Sequence, residues 1–191
     1  MAALLFALCF AVPAYAHDDT GLAGGVAMGF AHPLSGLDHA LAMISVGIWG
    51  AFLGRPLVYV LPMLFPAAMA GGGGLGIAGI PFPPVEFGIA LSVVTLGLLI
   101  AFAVRAPVAV ACAVVGVFAL FHGYAHGQEL PSAADPIGYS LGFVISTGLL
   151  HLAGIGLGFA KGLRRGAYAL RFAGAAVTIA GLWFVAEAMG L

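Results

Sequence analysis

The chain has 191 residues, 63% of them hydrophobic and only 7% charged, with a mean hydropathy of +1.16. An ordinary soluble domain carries about 25% charged residues, so this composition excludes a water-facing globule and points to an integral membrane protein. Lys and Arg total 6 against 7 Asp and Glu, a net charge of -1, which leaves no basic face for nucleic acid. Of the 2 cysteines, Cys9 lies in the leading apolar stretch and Cys112 stands apart, so thiol redox chemistry and a Cys-based metal cluster are excluded within one chain.

Ala2 to Val12 is an unbroken apolar stretch, too short to span a bilayer, and is followed by Pro13-Ala14-Tyr15-Ala16. That pattern reads as a signal peptide over residues 1–16 with an A-x-A cleavage site, leaving His17-Asp18-Asp19 as an exported amino terminus. Residues 17–191 then form a single transmembrane domain. Gly21 to Ala31 is apolar but only about 16 Å long as a helix. With Pro33 and Gly36 after it, it reads as a half-helix or re-entrant segment before a broken first span.

Six apolar runs follow, at 36–54, 57–80, 85–104, 108–125, 137–160 and 167–189, each near the length that crosses a bilayer core. The expected fold is an all-α six-span bundle. Pro62, Pro66 and Gly71 to Gly74 interrupt the second run, either loosening it or giving close helix contact. Gly154, Gly158 and Gly162 line one face of the fifth, and such faces permit a homo-oligomer without demanding one. Arg55, Arg105, Lys161, Arg164, Arg165 and Arg171 fall at alternate connections, which the positive-inside rule places in the cytoplasm. Asp18, Asp19, Glu86, Glu129, Asp135 and Glu187 then lie towards the opposite side, in agreement with an exported amino terminus.

Ionisable side chains in apolar helices are a functional hypothesis by default. His32, Asp38 and His39 cluster at the outer end of the first span, with Met43 one turn beyond His39. His122 and His126 share a helix face at the outer end of the fourth, with Glu129 just past them. His151 lies deep in the fifth span with Thr147 on the same face. Imidazole with carboxylate suits nickel, cobalt, zinc or copper better than magnesium or calcium. The candidate metal ligands are therefore His32, Asp38, His39, His122, His126, Glu129 and His151, with Met43, Glu86, Thr147 and His17 as auxiliaries. Each alone has a plainer reading, as an interhelical hydrogen bond, a cap or a core group; their meeting on one side makes the set informative.

The segments HPLSGLDH, AMISVGIWGA, PPVEFGIALS, FHGYAHGQELP and STGLLHLAGIGLG, in this order, resemble the HupE/UreJ family of nickel/cobalt permeases across essentially the whole mature chain. The resemblance implies a multi-pass carrier of the bacterial inner membrane that imports nickel, or in some members cobalt, for metalloenzymes such as hydrogenase or urease. Its motif residues map onto His32, Asp38, His39, Glu86, His122, His126, Glu129 and His151. The ion is then cargo, with no cofactor permanently bound, and the partners are the metal ion, the lipid bilayer and a downstream metalloenzyme maturation pathway. Ligation needs neutral imidazole, whose ordinary pKa is about 6.5, so uptake should weaken as external pH falls through that region. The competing class is an intramembrane metalloenzyme using the same cluster around a fixed ion, although no H-E-x-x-H motif is present. A bis-His haem protein and a serine hydrolase are the further alternatives, and the latter lacks a G-x-S-x-G motif.

Overall fold

The structure, a computed structural model, describes residues 21–129 and 135–191. The expected signal peptide at 1–16 and the auxiliary residue His17 lie outside the described residues. Among the described residues the chain forms seven α-helices and no strand: α1 (Leu22–Ser35), α2 (Leu37–Leu53), α3 (Leu57–Ile77), α4 (Val85–Ala101), α5 (Val108–Glu129), α6 (Pro136–Phe159) and α7 (Gly166–Ala188). A short 3₁₀ turn, Ala160–Gly162, extends α6. Each of the six expected runs, and the segment before them, corresponds to one helix. Helices α3, α5, α6 with its 3₁₀ turn, and α7 are long and apolar enough to cross a membrane. The bent pair α1 and α2 is a fifth candidate as one broken span, and α4 is a shorter apolar helix of 17 residues, about 25 Å long. Large apolar side chains such as Leu152, Phe172, Ile179 and Trp183 point outwards, each more than 60% exposed. Apolar exposure on that scale suits lipid and not water.

The break before the first span is sharp. Helices α1 and α2 meet at 81° across Gly36, which is extended at φ -91° and ψ 110°. A Cβ on Gly36 would press to 3.0 Å from Asp38 Oδ1 and 3.3 Å from His39 Nδ1, so the missing side chain leaves room for that polar pair. Several boundaries differ from the sequence expectation, among them the ends of α3 at Ile77 and α4 at Ala101, short of the expected 80 and 104. Helix α1 runs to Ser35 and not Ala31, because Pro33 lies so near the end that it deletes a single hydrogen bond, the one to the Gly29 carbonyl. Helix α3 is continuous through Pro62 and Pro66, so its glycines serve contact and not interruption. Helix α5 continues past Ala125 to Glu129, which keeps His126 on the helix face of His122, as their spacing implies, and makes Glu129 helical as well. The start of α6 is fixed locally. Asp135 Oδ1 accepts from the N–H groups of Ile137 at 3.0 Å and Gly138 at 2.9 Å, while Pro136 occupies the first turn, where no donor is needed.

Helix–helix packing in lipid depends on close backbone approach at small residues. Here α3 lies on α5, α4 on α7, and α1 and α2 both lie on α6. Added Cβ atoms at Gly72 and Gly123 would strike the backbones of Leu120 and Met69, which are the facing positions of α3 and α5. Gly29 and Gly142 do the same between α1 and α6, and Gly47 and Gly154 between α2 and α6. Trp49, fully buried in α2, donates its indole N–H to the Val104 carbonyl at 3.0 Å and ties the end of α4 to the core. Gly123→Ala should therefore cost about 1–3 kcal/mol of stability through overpacking. Gly116→Ala on the same helix meets nothing within 4 Å and should be neutral or stabilising by up to about 1 kcal/mol. Thermal unfolding of both purified variants in detergent checks the pair.

Candidate metal centre

The bend at Gly36 brings the end of α1 and the start of α2 against the last turns of α5. Four imidazoles meet there. Ring centroids lie 4.9 Å apart for His32 and His126, 4.9 Å for His39 and His126, and 4.9 Å for His39 and His122, with His32 and His39 at 6.4 Å. Glu129 Oε2 is 3.3 Å from His32 Nε2 and 3.5 Å from His126 Nδ1. One ligand atom each from His32, His126 and Glu129 lie within 4.8 Å of one another, a span that small side-chain rotations can close onto a single ion.

Two of the rings are held in one tautomer. The His39 Nδ1–H donates to Asp38 Oδ1 at 2.9 Å, and the same oxygen accepts the His39 backbone N–H at 2.8 Å. The His122 Nδ1–H donates to the Phe118 carbonyl at 2.9 Å, an acceptor that fixes the proton on that nitrogen. In both rings the lone pair is thereby left on Nε2. Both Nε2 atoms are buried and have no hydrogen-bond partner among the described residues. Leaving a buried acceptor unpaired costs about 1–3 kcal/mol, and a hydrogen-bond acceptor on the far nitrogen is the usual way a metal-binding histidine is oriented.

Of the sequence-predicted residues, His32, Asp38, His39, His122, His126 and Glu129 are brought together, with Asp38 placed against His39 rather than beside the Glu129 carboxylate. His151 stands apart on α6, buried, with neither ring nitrogen partnered among the described residues. The Phe65 ring of α3 touches both it and the cluster, 5.4 Å from His122 and 5.3 Å from His151 between ring centroids. Met43 is fully buried in the adjoining core, whereas Thr147 is buried and lines, with His126, Tyr139 and Phe143, a cavity of about 330 Å³. Glu86 is exposed in the first turn of α4, and no ion pair or hydrogen bond joins it to the cluster among the described residues.

Sequence reasoning missed Phe65, Tyr139, Phe143, Ser45 and Ser146. Phe143 lies 4.4 Å from His126 between ring centroids, and Tyr139 lies 5.7 Å from His32. The signal for the α6 residues was available: Tyr139, Phe143, Thr147 and His151 recur every four residues, so they share one helix face. Ser45 and Ser146 are buried hydroxyls without a partner among the described residues, and nothing in their spacing marks them.

The profile of the family described as HupE / UreJ protein matches residues 4–184. The chain belongs to the HupE/UreJ family. Protein HupE of Rhizobium leguminosarum bv. viciae is 50% identical over 172 residues, which is 90% of each chain. No solved structure matches the chain. In this HupE/UreJ member the Asp38 carboxylate controls which nitrogen of His39 is free. Asp38→Asn should lower the affinity of the purified protein for Ni²⁺ by about 10–100-fold with helical content unchanged, as read by titration calorimetry and circular dichroism.

Proposed function

We propose that this chain is an uptake permease for a first-row divalent ion, nickel and in second place cobalt, in the bacterial inner membrane. The carrying observation is the pair of buried, unpartnered Nε2 atoms of His39 and His122, each with its Nδ1 tied back. They adjoin the His32, His126 and Glu129 set. In this reading His39, His122, His126, His32 and Glu129 capture the ion, Asp38 orients His39, and His151 receives the ion beyond Phe65. A neutral nitrogen and oxygen donor set without thiolate suits nickel and cobalt. Incomplete coordination favours release, which a carrier needs and a fixed catalytic centre does not.

The topology in this reading has six spans, with α4 as the short third one and α1 as a half-helix leading into α2. The histidine end faces the periplasm, and the end bearing Arg55, Arg105, Lys161, Arg164, Arg165 and Arg171 faces the cytoplasm. The ion is cargo and serves metalloenzyme maturation downstream.

The test is uptake of radiolabelled nickel and cobalt at trace concentration by cells making the intact protein, His39→Ala or His126→Ala at matched membrane levels. Intact cells should accumulate metal well above empty cells, and both variants should fall to background. Accumulation at background by the intact protein, together with stoichiometric metal retained through purification, would favour the intramembrane enzyme. Protons compete with the ion for imidazole, so uptake should also weaken as external pH is lowered. Initial rates across a pH series read this directly, and a flat profile counts against imidazole capture.

A further inference from the structure

The other end of the bundle holds a second cavity of about 250 Å³. Phe52 at the end of α2, the turn Ala103 to Arg105 after α4, Lys161 of the 3₁₀ turn, and Ala167 and Arg171 of α7 line it. Three cationic side chains thus converge from three separate segments, and no carboxylate lines the cavity among the described residues.

Part of this charge has an internal role. The Lys161 ammonium donates to the Ala51 and Phe52 carbonyls, and Arg171 Nε donates to the Ala101 carbonyl at 2.8 Å. These cations cap the ends of α2 and α4, where the helix dipole favours positive charge. The remainder is surplus. Among the described residues Arg171 engages the protein through Nε alone, which leaves the outer edge of its guanidinium unpaired. Arg105 makes no hydrogen bond or ion pair among the described residues. Ala167, in the first turn of α7, adds the positive end of a 23-residue helix.

The turn carrying Arg105 is also held in one shape. Ala103 has φ +49°, a left-handed conformation that costs an alanine free energy. The Val104 N–H closes the turn on the Leu99 carbonyl at 2.8 Å, while its own carbonyl accepts the Trp49 indole. Arg105 is therefore presented from a fixed turn beside Arg171 and Lys161, at the level where the apolar helices end.

We propose that this cavity binds a phosphate group: the phosphodiester of an anionic lipid headgroup, or a soluble phosphate with the same chemistry. Fork-shaped guanidinium groups match phosphate oxygens. Basic pockets between spanning helices at the membrane surface are where anionic headgroups bind. This inference does not depend on which ion the histidine cluster carries.

The test titrates the purified full-length protein, in neutral detergent, with short-chain phosphatidylglycerol, with phosphatidylcholine of the same chain length, and with inorganic phosphate, read by calorimetry. Saturable binding of phosphatidylglycerol over phosphatidylcholine is expected, weakened about fivefold or more by Arg105→Gln and unchanged by Arg164→Gln, which lies outside the cavity. Arg171→Gln is the second variant and should weaken binding similarly. Binding of inorganic phosphate that competes with the lipid and shows the same Arg105 dependence assigns the site to a soluble anion. Equal binding of both lipids, or phosphatidylglycerol binding indifferent to Arg105→Gln and Arg171→Gln, overturns the proposal.

Discussion

Close approach of helix backbones at glycine is the constraint on which this structure depends. In lipid the hydrophobic effect does not drive helices together, so contact has to come from packing and from interhelical hydrogen bonds. The pairs α3 with α5 and α1 with α6 meet where Gly72, Gly123, Gly29 and Gly142 leave no room for a side chain. That spacing sets the geometry of the site, because His122 and His126 sit on the same stretch of α5 as Gly123 and Gly127. The rings 4.9 Å apart come from α1 or α2 on one side and α5 on the other. The glycines thus fix how α1 and α5 sit on their partners α6 and α3, and the elbow at Gly36 brings the imidazoles of α1 and α2 across to those of α5.

Charge is sorted as strictly as size. The histidines and the Glu129 carboxylate gather at the α1–α2 elbow, while Lys161, Arg105 and Arg171 gather around the opposite helix ends. Each group answers a local need. The cations at the far end neutralise the exposed carbonyls of α2 and α4. At the near end Asp38 and the Phe118 carbonyl act on imidazole protons. The centre of the bundle is left with aromatic and aliphatic groups such as Trp49, Phe65 and Leu61, all fully buried. Among the described residues, His151 and a few hydroxyls interrupt it.

Much of this was legible in the sequence, and the limits have physical causes. Unbroken apolar runs located every helix, since nothing else in a chain with 7% charge looks like them. Boundaries failed where polar residues or proline continue a helix. Glu129 read as lying just past the fourth span and Pro33 as a break, although α5 includes Glu129 and α1 runs through Pro33 to Ser35. Of the site, the histidines were visible as ionisable groups in apolar surroundings. The role of Phe118 was not, because it acts through a backbone carbonyl that every residue possesses. Phe65 was hidden for a different reason: one phenylalanine among 14 carries no signal until α3 is placed beside α5 and α6.

The ligand-bearing helices belong to different packing partners. His32 and His39 ride on α1 and α2, which lean on α6, whereas His122, His126 and Glu129 ride on α5, which leans on α3. Any cation gripped by both groups is a removable crosslink between two halves of the bundle. Reciprocity then applies: whatever spreads the halves loosens the cation by the same factor that the cation resists the spreading. Loading and helix spacing are in that sense a single variable.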